Sequence, residues 1–153
     1  MSTFSLWEHD DRCRHAIVDI AGITFDNENG RARQDVLADC SEGEMLQLIA
    51  DPDNPYDSNA VKVCRLSGDQ LGFVPAWISP EIYKLAEKGY APNAILMHIE
   101  TSDYDGKAKY GEIVLFFFLG GSISRKTCNN YIQDVLDKEG VDYQSWDAFR
   151  PDQ

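Results

Sequence analysis

The residues best suited to binding chemistry lie together in residues 51–61, which read Asp-Pro-Asp-Asn-Pro-Tyr-Asp-Ser-Asn-Ala-Val. Pro52 and Pro55 each fix a backbone φ angle at about −65°, and the Asp and Asn side chains can hydrogen-bond neighbouring backbone groups. The segment therefore predicts a stiff loop that carries an aromatic ring and several carboxylates. Such a loop can hold a ligand at a low entropic cost, because it has little conformational freedom left to lose.

The carboxylates of this loop do not match a known metal site. An EF-hand calcium loop needs glycine at its sixth position and glutamate at its twelfth, where this chain has Tyr56 and Lys62. No Cys-x-x-Cys pair, catalytic triad or phosphate loop is present either. We therefore expect a non-catalytic protein without metal or cofactor, in which the thiols stay reduced; these are Cys13, Cys40, Cys64 and Cys128.

The charge of the chain is strongly negative and unevenly distributed. The net charge is −12, and residues 1–60 carry thirteen acidic against four basic side chains. A protein that binds nucleic acid by neutralising phosphates needs a basic patch, and none is visible in the sequence. Any DNA binding is therefore expected to be local, with a weak electrostatic component.

The sequence predicts neither a signal peptide nor a membrane span. The N-terminus is polar, and the longest apolar run, residues 113–119, is too short to cross a bilayer. We therefore expect a cytoplasmic location.

Hydrophobic periodicity around the loop predicts a mainly β (α+β) fold. The predicted order is strand, helix, three strands, helix and two strands, followed by a C-terminal amphipathic helix with Ser124 as its N-cap. Ser79 before Pro80 predicts the N-cap of the second helix. This order favours a small curled sheet or an OB- or SH3-like barrel of about six strands with two inserted helices.

Three regions are predicted along the chain. Residues 1–14 form an N-terminal arm, residues 15–121 the β-barrel domain, and residues 122–153 the C-terminal helix with an aromatic tail. We expect the arm to dock through Phe4, Leu6 and Trp7, and the apolar stripe of the helix to continue through Tyr143, Trp146 and Phe149. An apolar stripe of this kind needs a surface to pack on, but the sequence does not say which.

Several motifs in the same order resemble the signature of the HIRAN domain family. They are Gly-Ile-Thr-Phe at 22–25, Gly-Glu at 43–44, the loop at 51–61, and Leu-Gly-Phe-Val-Pro at 71–75. The resemblance covers roughly residues 15–119. It implies a fold similar to an oligonucleotide-binding barrel that captures the 3′ end of single-stranded DNA, as a non-catalytic accessory module in DNA repair or processing.

The resemblance also implies which residues bind DNA: Phe25, Asn54, Tyr56, Asp57 and Tyr110. By position, Asp57 would accept a hydrogen bond from the terminal 3′-hydroxyl, and its charge would repel a continuing phosphodiester. Tyr56 and Phe25 would stack on terminal bases. The chain departs from the family pattern where basic residues are expected, because it has Thr24, Phe73 and Ala76 there.

Each of these residues also has a structural interpretation. Asp57 can cap its own loop through an Asx-turn, and Tyr56 and Phe25 can be core aromatics, as strand aromatics often are. The DNA-binding interpretation gains if cations converge on Tyr56 and Asp57, and it is to be abandoned if only carboxylates do; the candidate cations are Lys62, Arg65, Lys107 and Lys109.

A second function follows from the acidity. The chain could serve as an adaptor or nucleic-acid mimic that docks on a basic DNA- or RNA-binding protein complex. The sequence leaves the oligomeric state open.

Overall fold

The structure, a computed structural model, describes residues 5–7 and 10–142. Phe4 of the predicted arm and the three tail aromatics lie outside these residues. Within the described part of the chain, no helix is long and apolar enough to cross a membrane. The elements in chain order are β1 (Ser5–Trp7), β2 (Asp10–Asp19), α1 (Arg33–Ala38), β3 (Met45–Ala50), β4 (Val61–Arg65), β5 (Gln70–Phe73), α2 (Ser79–Glu87), β6 (Tyr90–Thr101), β7 (Ala108–Leu119) and α3 (Arg125–Lys138).

The strands form one antiparallel sheet that curls on itself. The sheet has seven strands in the order β1-β2-β7-β6-β3-β4-β5. Ala21, just after β2, exchanges two backbone hydrogen bonds of 2.8 Å each with Phe73 at the end of β5. Because β2 and β5 lie towards opposite ends of the strand order, this bridge draws the sheet into a curl. The predicted mainly β fold, a curled sheet with two inserted helices and a C-terminal helix, is confirmed.

Two strands are longer than the hydrophobic pattern predicts. β2 begins at Asp10, inside the predicted arm, and β6 begins at Tyr90. The extension of β6 pairs with β7, where Tyr90 lies opposite Leu119. The extension of β2 pairs with β7 from Cys13 onward, opposite Phe118, and its first residue, Asp10, pairs with Trp7 of β1. Pro92 is tolerated in β6 because β3 pairs with β6 only further along, so no ladder bond is lost.

The second helix begins differently from the prediction. Ser79 is the first residue of α2, and the N-cap is Ile78, which makes no side-chain capping bond. The amides of Ile78 and Ser79 both donate to Pro75 O, so the chain has already turned before Ser79. The predicted cap of α3 is present, since Ser124 Oγ accepts a 3.1 Å bond from Thr127 N.

The sheet separates two hydrophobic cores. Alternate residues of β7 face opposite sides, as strand geometry requires: one core contains Ile113, Leu115 and Phe117, and the other contains Val114, Phe116 and Phe118. The helix α3 covers the second core, where the Tyr131 ring lies 5.9 Å from Phe116 and 6.0 Å from Phe118, centroid to centroid. The C-terminal helix therefore packs on its own sheet.

We predict that the free energy of unfolding is higher above neutral pH than below it, because of a contact between a histidine of β2 and helix α3. His15 Nδ1 hydrogen-bonds Tyr131 Oη at the edge of the second core. Burial lowers the pKa of His15 from its usual 6.5; Lys138 lowers it further and Glu139 opposes the shift. A depressed folded-state pKa means that the unfolded chain takes up the proton first, so the free energy of unfolding falls as the pH drops below about 6.5. Urea unfolding at pH 8 and pH 5.5, followed by circular dichroism, measures this loss.

The variant His15→Phe is the control for this pH dependence. It keeps a ring at the site but cannot titrate, so we expect a smaller loss of stability between the two pH values. An equal loss in both proteins would assign the pH dependence to other groups.

Candidate functional site

An open cavity of about 670 Å³ lies between three segments that the fold brings together. The loop from β3 to β4 forms one wall, the chain after β2 forms a second, and β5 with the residues following it forms the third. Its volume is within the range of small-molecule sites. The aromatic, charged and other predicted site residues that line the cavity are Phe25, Asp26, Glu28, Arg33, Asp51, Asp53, Asn54, Tyr56, Asp57, Lys62, Phe73 and Ala76.

The loop between β3 and β4 is shaped by Asn54. Its Oδ1 accepts from the backbone amides of Tyr56 at 2.9 Å and Asp57 at 3.2 Å, and its Nδ2 donates to Asp51 Oδ2 at 3.1 Å. The base of the loop is closed by a 2.8 Å bond from Asp51 N to Ala60 O. Asn54 therefore positions the two residues that follow it, which is a structural task in addition to the contact role implied for it.

Both candidate stacking residues are on the surface. The Tyr56 residue is 95% exposed and Phe25 is 66% exposed, and both line the cavity. The interpretation of these two residues as core aromatics is therefore wrong. Large exposed rings at a cavity are available to stack on a ligand.

The Asp57 carboxylate forms the predicted Asx-turn and still has one oxygen that could accept a hydrogen bond from a ligand. Its Oδ1 accepts a 2.8 Å bond from Asn59 N, the Asx-turn expected from the loop sequence. Within the described residues, its second oxygen accepts no hydrogen bond. One oxygen thus holds the loop, and the other is left without a hydrogen-bond donor among the residues that the structure describes.

The inner wall of the cavity is formed around Gly22, which has φ +72°. A Cβ atom built on Gly22 would lie 3.2 Å from Arg33 Nη1, 3.7 Å from Phe25 Cδ2 and 3.8 Å from Phe73 Cδ2. Three side chains from three separate segments therefore meet at one glycine. The left-handed conformation and this close approach both favour the absence of a side chain there.

Arg33 is a cavity residue that the sequence reasoning missed. Its Nε donates to Asn27 Oδ1 at 2.9 Å, its Nη1 donates to Gly22 O at 3.0 Å, and its guanidinium lies 5.2 Å from the centre of the Phe73 ring. Arg33 is eight residues from Phe25 in sequence, on a helix, so no motif signalled it. In space it reaches the wall beside Phe25, although Thr24 supplies no charge there.

The charge that lines the cavity is mostly negative. The cavity is lined by five carboxylates, on Asp26, Glu28, Asp51, Asp53 and Asp57, against two cations, on Arg33 and Lys62. Of the four cations whose approach to Tyr56 and Asp57 would favour DNA binding, Lys62 lines the cavity, and Arg65, Lys107 and Lys109 do not. Arg65 instead pairs with Glu44 at 2.8 Å.

Tyr110 is the one predicted binding residue that the fold does not bring to the cavity. It lies in β7 opposite Glu100, is 38% exposed and is not among the lining residues. The chain just after it passes α1, where Gly111 approaches Leu37. Its role in binding stays a prediction without support from this geometry.

A single antiparallel sheet that curls beside an open cavity of aromatic and charged side chains defines the class of small half-barrel β domains. Among the described residues no group of three or more His, Cys, Asp or Glu side chains is arranged to hold a metal. The chain belongs to the HIRAN domain family, whose model matches residues 15–107. The resemblance seen in the sequence is thereby confirmed.

Solved structures share the fold. The crystal structure of the HIRAN domain of human HLTF is 18% identical, with a TM-score of 0.51 over 85% of this chain and 92% of that one. A crystal structure of a protein from Lactobacillus plantarum is also 18% identical, with a TM-score of 0.51 over 69% of this chain and 99% of that one. No curated protein matches the chain. At these identities the likeness is evidence for the fold.

Proposed function

We propose that this chain is a non-catalytic module that binds the 3′-hydroxyl end of single-stranded DNA, as an accessory to DNA repair or processing. The observation that carries the proposal is the combination, on one stiff loop, of the exposed Tyr56 ring and the unpaired oxygen of Asp57. The ring offers a stacking surface for the terminal base, and the carboxylate accepts a hydrogen bond from the terminal hydroxyl. Membership of the HIRAN family supports the same ligand.

The loop is suited to recognise an end because its shape is set before a ligand arrives. Asn54 and the Asx-turn of Asp57 use backbone donors of the loop itself, so binding does not have to order the segment. A preformed site loses less conformational entropy on binding than a flexible one. The carboxylate then selects the end of a strand, because a phosphate in the same place would be repelled.

The test compares two oligonucleotides that differ only at the 3′ end. Fluorescence anisotropy with a 5′-labelled decamer should show binding to the 3′-hydroxyl form and at least tenfold weaker binding to the 3′-phosphate form. Like charges about 4 Å apart near a protein surface repel by about 4 kcal/mol, and a tenfold ratio needs only about 1.4 kcal/mol.

Asp57→Asn is the matched variant for this experiment. An amide oxygen can still accept from Asn59 N and keep the turn, but the negative charge is gone. We expect this variant to lose most of its discrimination between the two ends. Equal binding of the two ends by the parent protein, or no binding to either at low salt, would refute the proposal.

A second function is favoured by the charge of the cavity. Five carboxylates face two cations, and two exposed rings lie beside them, which suits a basic segment of a DNA- or RNA-binding protein complex. In this alternative the chain is an acidic adaptor or a mimic of nucleic acid. Lysine or arginine side chains would bind the carboxylates and stack on Tyr56 or Phe25.

Salt and competition separate the two functions. A basic partner captured on the immobilised chain at low ionic strength should be released steeply as salt rises. A 3′-hydroxyl oligonucleotide should displace that partner if both use the cavity. If the Asp53→Asn and Asp57→Asn variants capture the basic partner as well as the parent protein does, the partner does not bind at the cavity, and this alternative is removed.

A further inference from the structure

We propose that a second surface, outside the cavity, binds the sugar–phosphate backbone of the strand whose 3′ end lies in the cavity. This inference rests on the proposed function, to which it adds a contact for the 5′ part of the ligand. The surface lies beside the start of β2, the end of α2 and the start of α3, and we call it the basic end. Its cations, none of which lines the cavity, are Arg12, Arg14, Lys88, Arg125 and Lys126.

Hydrogen bonds bring the segments of the basic end together. Gly120 N donates to Gly89 O at 3.1 Å, which places Lys88 beside the end of β7. Arg12 Nη1 donates to Ser122 O at 3.5 Å, so the start of β2 lies against the loop that leads into α3. Cations from three separate segments therefore share one surface, which is why no basic patch is visible in the sequence.

Arg14 is held in place by the protein but is not neutralised by it. Its guanidinium carbon lies 5.1 Å from the centre of the Tyr90 ring, and Tyr90 Oη is fixed by donating to Asp11 O at 3.0 Å. Arg14 Nε is buried without a hydrogen-bond partner among the described residues, and the side chain forms no ion pair with a described carboxylate. A charged group with unmet hydrogen bonds is costly. A guanidinium held in this way is pre-organised to donate to a phosphate oxygen from its terminal nitrogens.

The first turn of α3 departs from the charge pattern that stabilises a helix. It contains no acidic residue and begins with Arg125 and Lys126, which are both exposed. Cations are unfavourable there, because the N-terminal end of a helix carries a partial positive charge. Departures from a local stability rule are expected at functional surfaces. The two cations are therefore better explained by an anionic ligand than by the stability of the helix.

The basic end has an excess of positive charge, although the chain has a net charge of −12. Its five cations are accompanied by three carboxylates, on Asp10, Asp11 and Glu87, in residues 10–14, 87–90 and 120–126. Asp10 is already paired with Arg12 at 2.7 Å. Lys88 and Lys126 pair with no described carboxylate. The cavity has the opposite balance, five carboxylates against two cations. Phosphates beyond the 3′ end are therefore attracted to the basic end rather than to the cavity lining.

Helix α2 leads from the cavity to the basic end. Ala76 lines the cavity just before the helix, and Lys88 is the C-cap of the helix. The nine residues of α2 span about 14 Å, at about 1.5 Å per residue. A stacked strand advances about 3.4 Å per nucleotide, so about four nucleotides cover this distance. A dinucleotide bound by its 3′ end is therefore too short to reach the basic end, whereas a decamer is long enough.

Ligands of these two lengths, measured on charge variants, test the inference. A dinucleotide and a decamer, each with a free 3′-hydroxyl, compete against a labelled decamer in fluorescence anisotropy. In the double variant Lys88→Gln/Lys126→Gln, we expect the decamer to bind at least about tenfold more weakly at about 0.1 M salt, and the dinucleotide to bind as it does to the parent. The slope of the logarithm of decamer affinity against the logarithm of salt concentration should become shallower by about 1.4, which is about 0.7 for each lost phosphate contact.

The double variant Lys107→Gln/Lys109→Gln is the matched control. It removes the same charge from two exposed lysines that lie neither in the cavity lining nor in the basic end. We expect decamer binding within about twofold of the parent, because distant surface charges are screened by salt. Arg14→Gln should weaken the decamer and leave the dinucleotide unchanged. Circular dichroism must show the parent fold for this variant, since Arg14 packs on Tyr90.

The outcomes separate the inference from the proposed function. If the parent prefers a 3′-hydroxyl decamer to a 3′-phosphate decamer, but the Lys88/Lys126 double variant binds both as the parent does, the basic end is wrong and the function stands. An equal loss of binding in both double variants would also overturn the inference, because it would reflect net charge alone. If the decamer binds without preference for a 3′-hydroxyl and only the Lys88/Lys126 variant weakens it, the basic end binds nucleic acid and the proposed function fails. If no strand binds, both fail.

Discussion

Replacing Gly72 by alanine is expected to lower the free energy of unfolding by at least about 3 kcal/mol. A Cβ atom at Gly72 would lie 2.3 Å from the backbone oxygen of Ala21 and 2.7 Å from Ile20 Cγ2. That oxygen accepts the bond from Phe73 N that helps to curl the sheet. The clash is with backbone, so it cannot be relieved by a rotamer change, and relief requires breaking the bridge between Ala21 and Phe73. Urea unfolding followed by far-UV circular dichroism measures the loss.

The same substitution should also abolish ligand binding, because Ala21 and Phe73 both line the cavity. Gly120→Ala is the matched control. A Cβ there would meet only Gly89 O at 3.7 Å, an ordinary contact, so we expect a change within about 0.5 kcal/mol. A Gly72→Ala protein that unfolds within about 1 kcal/mol of the parent would show that the closing bridge tolerates displacement.

Replacing Tyr56 by alanine is expected to weaken binding of a 3′-hydroxyl oligonucleotide about 5- to 150-fold. This range corresponds to the loss of one base–aromatic stacking contact, which is worth about 1–3 kcal/mol. The residue is 95% exposed, so stability should change by no more than about 0.5 kcal/mol. Fluorescence anisotropy with the 5′-labelled decamer measures the effect.

Tyr104 provides an unusually close control for that variant. It is 97% exposed, lies in the turn between β6 and β7 and does not line the cavity. Tyr104→Ala therefore removes an equally exposed ring without touching the site, and we expect unchanged binding. If both variants bind as the parent does, Tyr56 is not a stacking residue. If both weaken binding alike, the contact is not specific to the cavity.

The elements were largely predictable because their signals are local. Alternating apolar residues specify strands, and a serine ahead of an apolar stripe specifies the start of α3, whose cap is present. Element bounds were less predictable. β2 and β6 extend beyond their apolar patterns because pairing with neighbouring strands, β7 for both and also β1 for the start of β2, stabilises backbone that the pattern alone does not mark. Ser79 failed as a cap because Pro75 O already accepts the first amides of the turn.

In the candidate site too, the features set by neighbouring residues were predictable from the sequence, and those set by tertiary packing were not. The loop chemistry follows from adjacent residues, so the Asx-turn of Asp57 and the stiff shape of the segment could be read directly. The exposure of Tyr56 and Phe25 could not, because a ring in a strand-rich chain is equally compatible with a core position. The choice between these positions depends on which elements pack over the ring.

By itself the sequence determined the family, the mainly β fold and a rigid loop that places Tyr56 beside Asp57, because each of these depends on neighbouring residues in the chain. Only the tertiary structure decided that Arg33 reaches the cavity and that Tyr110 does not. The physical reason is that sheet curling and the packing of α1 are collective. They bring the side chains of Phe25, Arg33 and Phe73 together around Gly22, and no spacing along the chain encodes that convergence.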